Sequence, residues 1–229
     1  MKGSVILVTG FGAFPGAPHN PTAVLMRNLA AHERRLARMG IKLERRVLPV
    51  VYSEIAPRLT ALIAETAPDA ILHFGLARGR RAISIETRAV NHFGTSPDAA
   101  GKCAPGSSIL RGTAAVKRAG VPVPALNAAL RRAWIASRPS NDAGNYVCNQ
   151  TFYLSLAMAT ATNRTVGFVH VPHMRASTLA RAAIILIMSL QPVLRRTSQR
   201  PLPKLDRDKP FLRCQTKRTL SSAIEVFRT

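Results

Sequence analysis

Cys148 lies in the run Asp142-Ala143-Gly144-Asn145-Tyr146-Val147-Cys148-Asn149-Gln150-Thr151-Phe152-Tyr153, where a polar, glycine-containing loop gives way to an apolar, helix-like segment. A thiol at such a junction suits nucleophilic chemistry, because the unpaired N–H groups and positive dipole end of a helix favour the thiolate. The competing reading is a small buried hydrophobe that packs a core. His170 ends the apolar run Val166-Gly167-Phe168-Val169, the place for a catalytic base or for a hydrogen-bonded structural histidine. Glu86 interrupts the strand-like Ala82-Ile83-Ser84-Ile85-Glu86-Thr87-Arg88-Ala89-Val90-Asn91. A carboxylate there needs a partner or a solvent face. It reads either as an ion pair with Arg88 or another arginine, or as the group that orients an imidazole and stabilises its charged form.

Other chemistry has less support. Thr9-Gly10-Phe11-Gly12-Ala13-Phe14-Pro15-Gly16 stands where a dinucleotide-binding glycine loop would, but Pro15 occupies the position of its third glycine. Phe11 and Phe14 on that loop either wall a ring-binding site or cap the core beneath it. The six histidines form no metal cluster by spacing; His170 and His173 are separated by Pro172 and follow a strand rather than lying on a helix. Three cysteines, Cys103, Cys148 and Cys214, fit neither a disulfide framework nor a zinc pair.

The elements that must position these residues follow from pattern. Ser4-Val5-Ile6-Leu7-Val8 reads as a strand buried on both faces. Asn20-Pro21 supplies an N-cap and a first-turn proline for a helix to about Met39, with Val24, Leu25, Leu29 and Leu36 as its apolar stripe. Further strands are predicted at 43–50, 70–74, 83–90 and 165–171, and helices at 54–66, 124–136, 147–160 and 177–190. Alternation of this kind predicts an α/β fold, a three-layer α/β/α sandwich with a mainly parallel central sheet. Sites in such sheets belong at the carboxyl ends of the strands.

A length of 229 residues suits one core. The division expected is a domain over 1–193 and a basic, proline-punctuated tail over 194–229, which carries a net +7 of the chain's +22. That charge raises the alternative of a non-catalytic polyanion-binding protein. The arginines are scattered, however, and no basic run is interleaved with stacking aromatics, so no specific nucleic-acid partner is expected. The apolar runs 1–8 and 182–190 are too short to span a membrane. The chain is expected to be cytoplasmic, without membrane association.

Four segments together resemble, in order, the motifs of the pyroglutamyl-peptidase I family. They are Val8-Thr9-Gly10-Phe11-Gly12-Ala13-Phe14 with Asn20-Pro21-Thr22; Ile83-Ser84-Ile85-Glu86 through Asn91; Ala143-Gly144-Asn145-Tyr146-Val147-Cys148-Asn149; and Gly167-Phe168-Val169-His170-Val171-Pro172. The resemblance implies that Cys148 is the nucleophile, His170 the general base and acid, and Glu86 the group orienting the histidine. It implies hydrolysis of the amide bond after an N-terminal pyroglutamyl residue, with a pyroglutamyl peptide as partner and with neither metal nor organic cofactor. Phe11, Phe14, Asn20 and Tyr146 would then contact the lactam, with backbone near Leu76 reading its amide edge. Members of the family often form homo-oligomers. A close variant is the same fold acting on another acyl-amide or lactam.

The chain departs from the family pattern in two places. Gly75-Leu76-Ala77-Arg78-Gly79-Arg80 has leucine for the usual glutamine, and His92-Phe93-Gly94-Thr95-Ser96-Pro97-Asp98 lacks the arginine that usually follows Asn91. Arg78, Arg80 and Arg88 are the nearby candidates to replace it.

Overall fold

The computed structural model describes residues 3–159 and 164–198. Six strands form a sheet in the order β2-β1-β3-β8-β4-β7, comprising β1 (Ser4–Phe11), β2 (Ile41–Leu48), β3 (Ala70–Leu76), β4 (Ile83–Glu86), β7 (Ser137–Ser140) and β8 (Thr165–Val171). β2, β1, β3 and β8 are mutually parallel; β4 runs antiparallel to β8 and parallel to β7. The central strands β3 and β8 are buried at every residue, as continuous apolar runs in a covered parallel sheet must be.

Helices α1 (Pro21–Asn28), α2 (Glu33–Arg38), α4 (Val123–Arg132) and α6 (Ala176–Ser198) cover one face. α3 (Tyr52–Thr66) and α5 (Val147–Ala159) cover the other. Both faces are therefore closed by helices, and the three-layer expectation holds. α5 is buried on nearly all sides, whereas α6 buries the stripe Leu179, Ala182, Ala183, Leu186, Ile187, Leu190, the spacing of one helix face. Over 176–194 this helix is long and apolar enough to cross a membrane, but that stripe makes it a core helix of the sandwich.

The differences from expectation have local causes. The segment 83–90 is two strands, because Thr87 separates β4 from β5 (Arg88–Val90), which leaves the main sheet to pair with β6 (Val116–Arg118). The first helix is broken at a 3-10 turn, Leu29–His32. β7 reads Ser-Arg-Pro-Ser; a polar edge strand containing proline has no alternation to announce it. α6 continues to Ser198, past the expected helix end at 190. The rest of the tail, with Cys214, and Thr160 at the expected end of α5 lie outside the described residues.

Candidate active site

β1, β3 and β8 end on the same side of the sheet, and in the β3–β8 register Gly75 stands opposite His170. A Cβ built on Gly75 would lie 2.9 Å from Sγ of Cys148 and 2.9 Å from the Phe168 ring. The thiol therefore sits directly over Gly75, beside the strand that carries His170. Any side chain at 75 would push the thiol away from that strand.

Cys148 is the second residue of α5. The turn before it depends on Gly144 at φ +77°, a conformation that L side chains adopt at a cost; its N–H donates to Asp142 Oδ1 at 2.9 Å. Behind the thiol, Asn149 fixes the helix start to β5: its Oδ1 accepts from Val90 N at 3.0 Å, and its Nδ2 donates to Val90 O at 2.8 Å and His92 O at 3.1 Å. Gln150 donates to Tyr52 O at 3.0 Å.

His170 is 5% exposed, and Glu86 is fully buried. His170 Nδ1 lies 2.8 Å from Glu86 Oε1. A carboxylate accepts the ring proton, so the neutral histidine carries it on Nδ1 and leaves Nε2 free as a base. The same Oε1 accepts from Arg80 Nη1 at 2.6 Å, while Arg80 Nη2 donates to Asp142 O at 2.5 Å. Glu86 thus contacts both an arginine and an imidazole, and it does so fully buried rather than as a surface pair. Arg88 turns elsewhere, to Asn141 O, and Arg78 to Gly16 O.

The environment opposes the expected ease of thiolate formation. Burial pushes the Cys148 thiol up to about 12, and the charge of Glu86 adds to this, while Arg80 works in the opposite direction. The helix-start dipole favours the thiolate, but desolvation outweighs such local help. The packed site therefore disfavours the thiolate.

The proposed substrate contacts separate on inspection. Phe14 and Tyr146 are partly exposed neighbours with ring centroids 6.4 Å apart, and Tyr146 stacks edge-on with Tyr52 at 5.5 Å. Phe11, by contrast, is 2% exposed and packs on Phe168, so it caps the core beneath the loop. The amide of Asn20 is spent inside that loop, accepting from Thr22 N at 3.1 Å and donating to Gly12 O at 2.9 Å. Its contact is with the loop carrying Phe11 and Phe14. Leu76 ends β3 beside Val171, nearly buried.

The segment lacking the arginine usual after Asn91 is pinned over the loop that precedes Cys148. Gly94 N donates to Asn145 O at 2.6 Å, Tyr146 OH to Pro97 O at 3.0 Å, and Tyr52 OH to Ser96 O at 3.0 Å. Asp98 anchors it through Tyr52 N, Ala100 N and Lys102 N. Burial works against that carboxylate's charge, but these N–H bonds and Lys102 outweigh it and hold the pKa low. Sequence reasoning missed Tyr52 and Asn149, and Arg80 figured there only as a candidate substitute for the absent arginine. The available signal for Arg80 was its place at the end of Gly75-Leu76-Ala77-Arg78-Gly79-Arg80, where the resembled family also has arginine, six residues before Glu86. Among the described residues, no group of three or more His, Cys, Asp or Glu could hold a metal ion.

An α/β sandwich with a cysteine at a helix start, beside a histidine held by a buried glutamate, belongs to the class of cysteine hydrolases. Residues 4–197 match the family model described as pyroglutamyl peptidase, and the chain belongs to that family. It is 36% identical over 177 residues to the pyrrolidone-carboxylate peptidase of Thermococcus onnurineus, covering 76% of this chain and 86% of the relative. Its identity to the same-named protein of Pseudomonas fluorescens is 34% over 171 residues, covering 74% and 79%. A mutant pyrrolidone carboxyl peptidase from Pyrococcus furiosus superposes with a TM-score of 0.78 at 30% identity, covering 83% of this chain and 99% of that structure. The pyroglutamyl peptidase I of Bacillus amyloliquefaciens gives 0.76 at 25%, covering 82% and 94%.

Proposed function

We propose that this chain removes N-terminal pyroglutamyl residues from peptides, with Cys148 as nucleophile, His170 as base and acid, and Glu86 as the orienting group. The observation that carries the reading is the placement of the Cys148 thiol over Gly75, opposite His170, whose Nδ1 is held by Glu86. As the thiol attacks the pyroglutamyl carbonyl, its proton passes to His170 Nε2. Glu86 stabilises the imidazolium that results. The tetrahedral oxyanion lies at the start of α5, whose first N–H groups lack intrahelical partners. Collapse breaks the C–N bond; the leaving amine takes the proton from Nε2, and a thioester remains. Water then loses a proton to the same nitrogen, adds to the thioester and releases pyroglutamate, returning the thiol.

The aromatic faces of Phe14 and Tyr146 suit the flat, uncharged lactam. A cytoplasmic setting accords with the free Cys103 and Cys148. The basic balance sits on dispersed arginines, several already paired with carboxylates, as Arg45 with Glu33 and Arg46 with Glu65; association with polyanions should be weak and salt-dependent.

The test is a panel of N-terminally blocked dye amides, pyroglutamyl, acetyl-prolyl, acetyl-alanyl and larger lactams, on the wild type and Cys148→Ala. Release from the pyroglutamyl amide alone, lost in Cys148→Ala, is expected. Faster release from another member would assign a changed specificity. No release from folded wild type, with tight nucleic-acid binding at moderate salt, would favour the binding protein.

A further inference from the structure

Glu86 is a fully buried carboxylate with an uneven set of partners. Oε1 accepts both the His170 Nδ1 proton and Arg80 Nη1, while Oε2 is buried and lacks a partner among the described residues. One hydrogen bond from a neutral imidazole does not offset the burial of a carboxylate. The remaining compensation comes from Arg80, whose guanidinium is always charged and whose side chain is only 18% exposed. Its other arm reaches the carbonyl of Asp142, two residues before the positive-φ Gly144 and six before the thiol. A planar fork bonding two acceptors at once sets both distance and angle.

We infer that Arg80 is a positioning residue of this site, holding Glu86 against His170 with one arm and the nucleophile loop at Asp142 with the other. This deepens the proposed hydrolase reading and rests on it for the rate measurements alone. The charged and titratable groups around Glu86 come from every neighbouring element: Cys148 on α5, His170 on β8, Arg138 on β7, Arg88 on β5 and Asp142 in the loop. Arg138 and Arg88 are exposed, and Arg88 bonds Asn141 O; the Asp142 carboxylate accepts from Gly144 N. Among the described residues, Arg80 is the one cation in direct contact with Glu86.

Removing a fixed positive charge raises the pH at which nearby groups release their protons. Arg80→Met removes both charge and fork; Arg80→Lys keeps the charge and loses the fork. Two profiles are read across pH: kcat/KM on a pyroglutamyl dye amide, and alkylation of Cys148 by iodoacetamide in a Cys103→Ser, Cys214→Ser background. In Arg80→Met, the acid limb of kcat/KM and the rise of alkylation should both move upward by about one pH unit, with kcat/KM at neutral pH reduced roughly 10- to 100-fold. Arg80→Lys should keep both limbs at their wild-type positions and recover part of the rate. Should Arg80→Met fail to fold, Arg80→Gln is the second uncharged variant. Equal loss at every pH in both variants with unmoved limbs would overturn the inference, as would an Arg80→Met indistinguishable from wild type. Alkylation needs no substrate, so a moving alkylation limb in an enzyme inert to pyroglutamyl amides sinks the activity reading and leaves the role of Arg80 standing.

Discussion

Two histidines on adjacent strands of one sheet meet opposite fates. His73 on β3 and His170 on β8 both approach the Phe168 ring, with centroids 5.8 and 4.8 Å away, and both are buried or nearly so. His73 is enclosed by neutral hydroxyls, Thr9 Oγ1 at 2.7 Å from Nδ1 and Ser155 Oγ at 2.9 Å from Nε2. With both nitrogens occupied and no counter-charge, burial drives its pKa down to about 3. His170 has one nitrogen held by a carboxylate that is itself held by arginine. Burial among hydroxyls makes His73 inert; a buried carboxylate on Nδ1 suits His170 to the proposed role of base.

The strongest test of this contrast exchanges the same substitution between the two sites. His170→Asn should abolish pyroglutamyl amide hydrolysis, a loss of more than about 10⁴-fold in kcat by analogy with other nucleophile–base pairs, while denaturant midpoints change little. His73→Asn should do the reverse, costing about 1–3 kcal/mol of stability through broken buried hydrogen bonds, with activity per folded molecule within a few-fold of wild type. Activity loss in both variants with equal stability would erase the distinction.

Glu86→Gln keeps the shape but not the charge beside His170. With its amide oxygen in the place of Oε1 it still accepts from Arg80 and the ring, but it carries no charge to stabilise the imidazolium; kcat should fall about 10³-fold. A drop of less than tenfold would mean that the carboxylate is scaffolding. Next in size is Gly75→Ala, whose methyl meets Sγ and Phe168 at 2.9 Å. Displacing the thiol by a fraction of an ångström should reduce kcat/KM by about 10²-fold, and a crystal structure should show Cys148 turned from the His170 strand. Unchanged kinetics would refute the close approach.

The smallest effect is a pH dependence that belongs to His73. Its pKa in the fold is depressed below the unfolded value, so the unfolded chain binds the proton first as pH falls. Stability is therefore lost progressively below about pH 6.5, by up to roughly 1.4 kcal/mol per pH unit, down to the folded value near 3. The stability gap between wild type and His73→Asn should narrow by about 2 kcal/mol between pH 7 and 5, measured by urea denaturation. A constant gap would show that His73 titrates in the fold much as it does in the open chain.

Much of this arrangement was legible in the chain because it depends on neighbours a few residues apart. The unbroken apolar run of β8 ends at Val171, as its composition requires, and Asn20-Pro21 caps α1 through the Asn20 side chain and Thr22 N. Cys148 stands at a helix start because a glycine turn precedes an apolar segment. Periodicity, caps and turns act over one or two turns of chain, and motif order added the glutamate and histidine to the thiol.

Tertiary structure decided what depends on residues brought from far along the chain. β4 enters the parallel sheet reversed, and the polar, proline-bearing β7 pairs at its edge, since pairing there is set by partners and not by alternation. Gly75 proved to be the floor beneath the thiol, Phe11 went to the core while Phe14 stayed at the surface, and Arg80 found Glu86. The thiol's surroundings differ most from expectation: its helix-start position alone argues for an easily formed thiolate, yet burial and the Glu86 charge push its pKa up. Residue types and local order determine which groups can react. Desolvation and charge pairing determine how they do, and both are properties of the packed site rather than of any stretch of sequence.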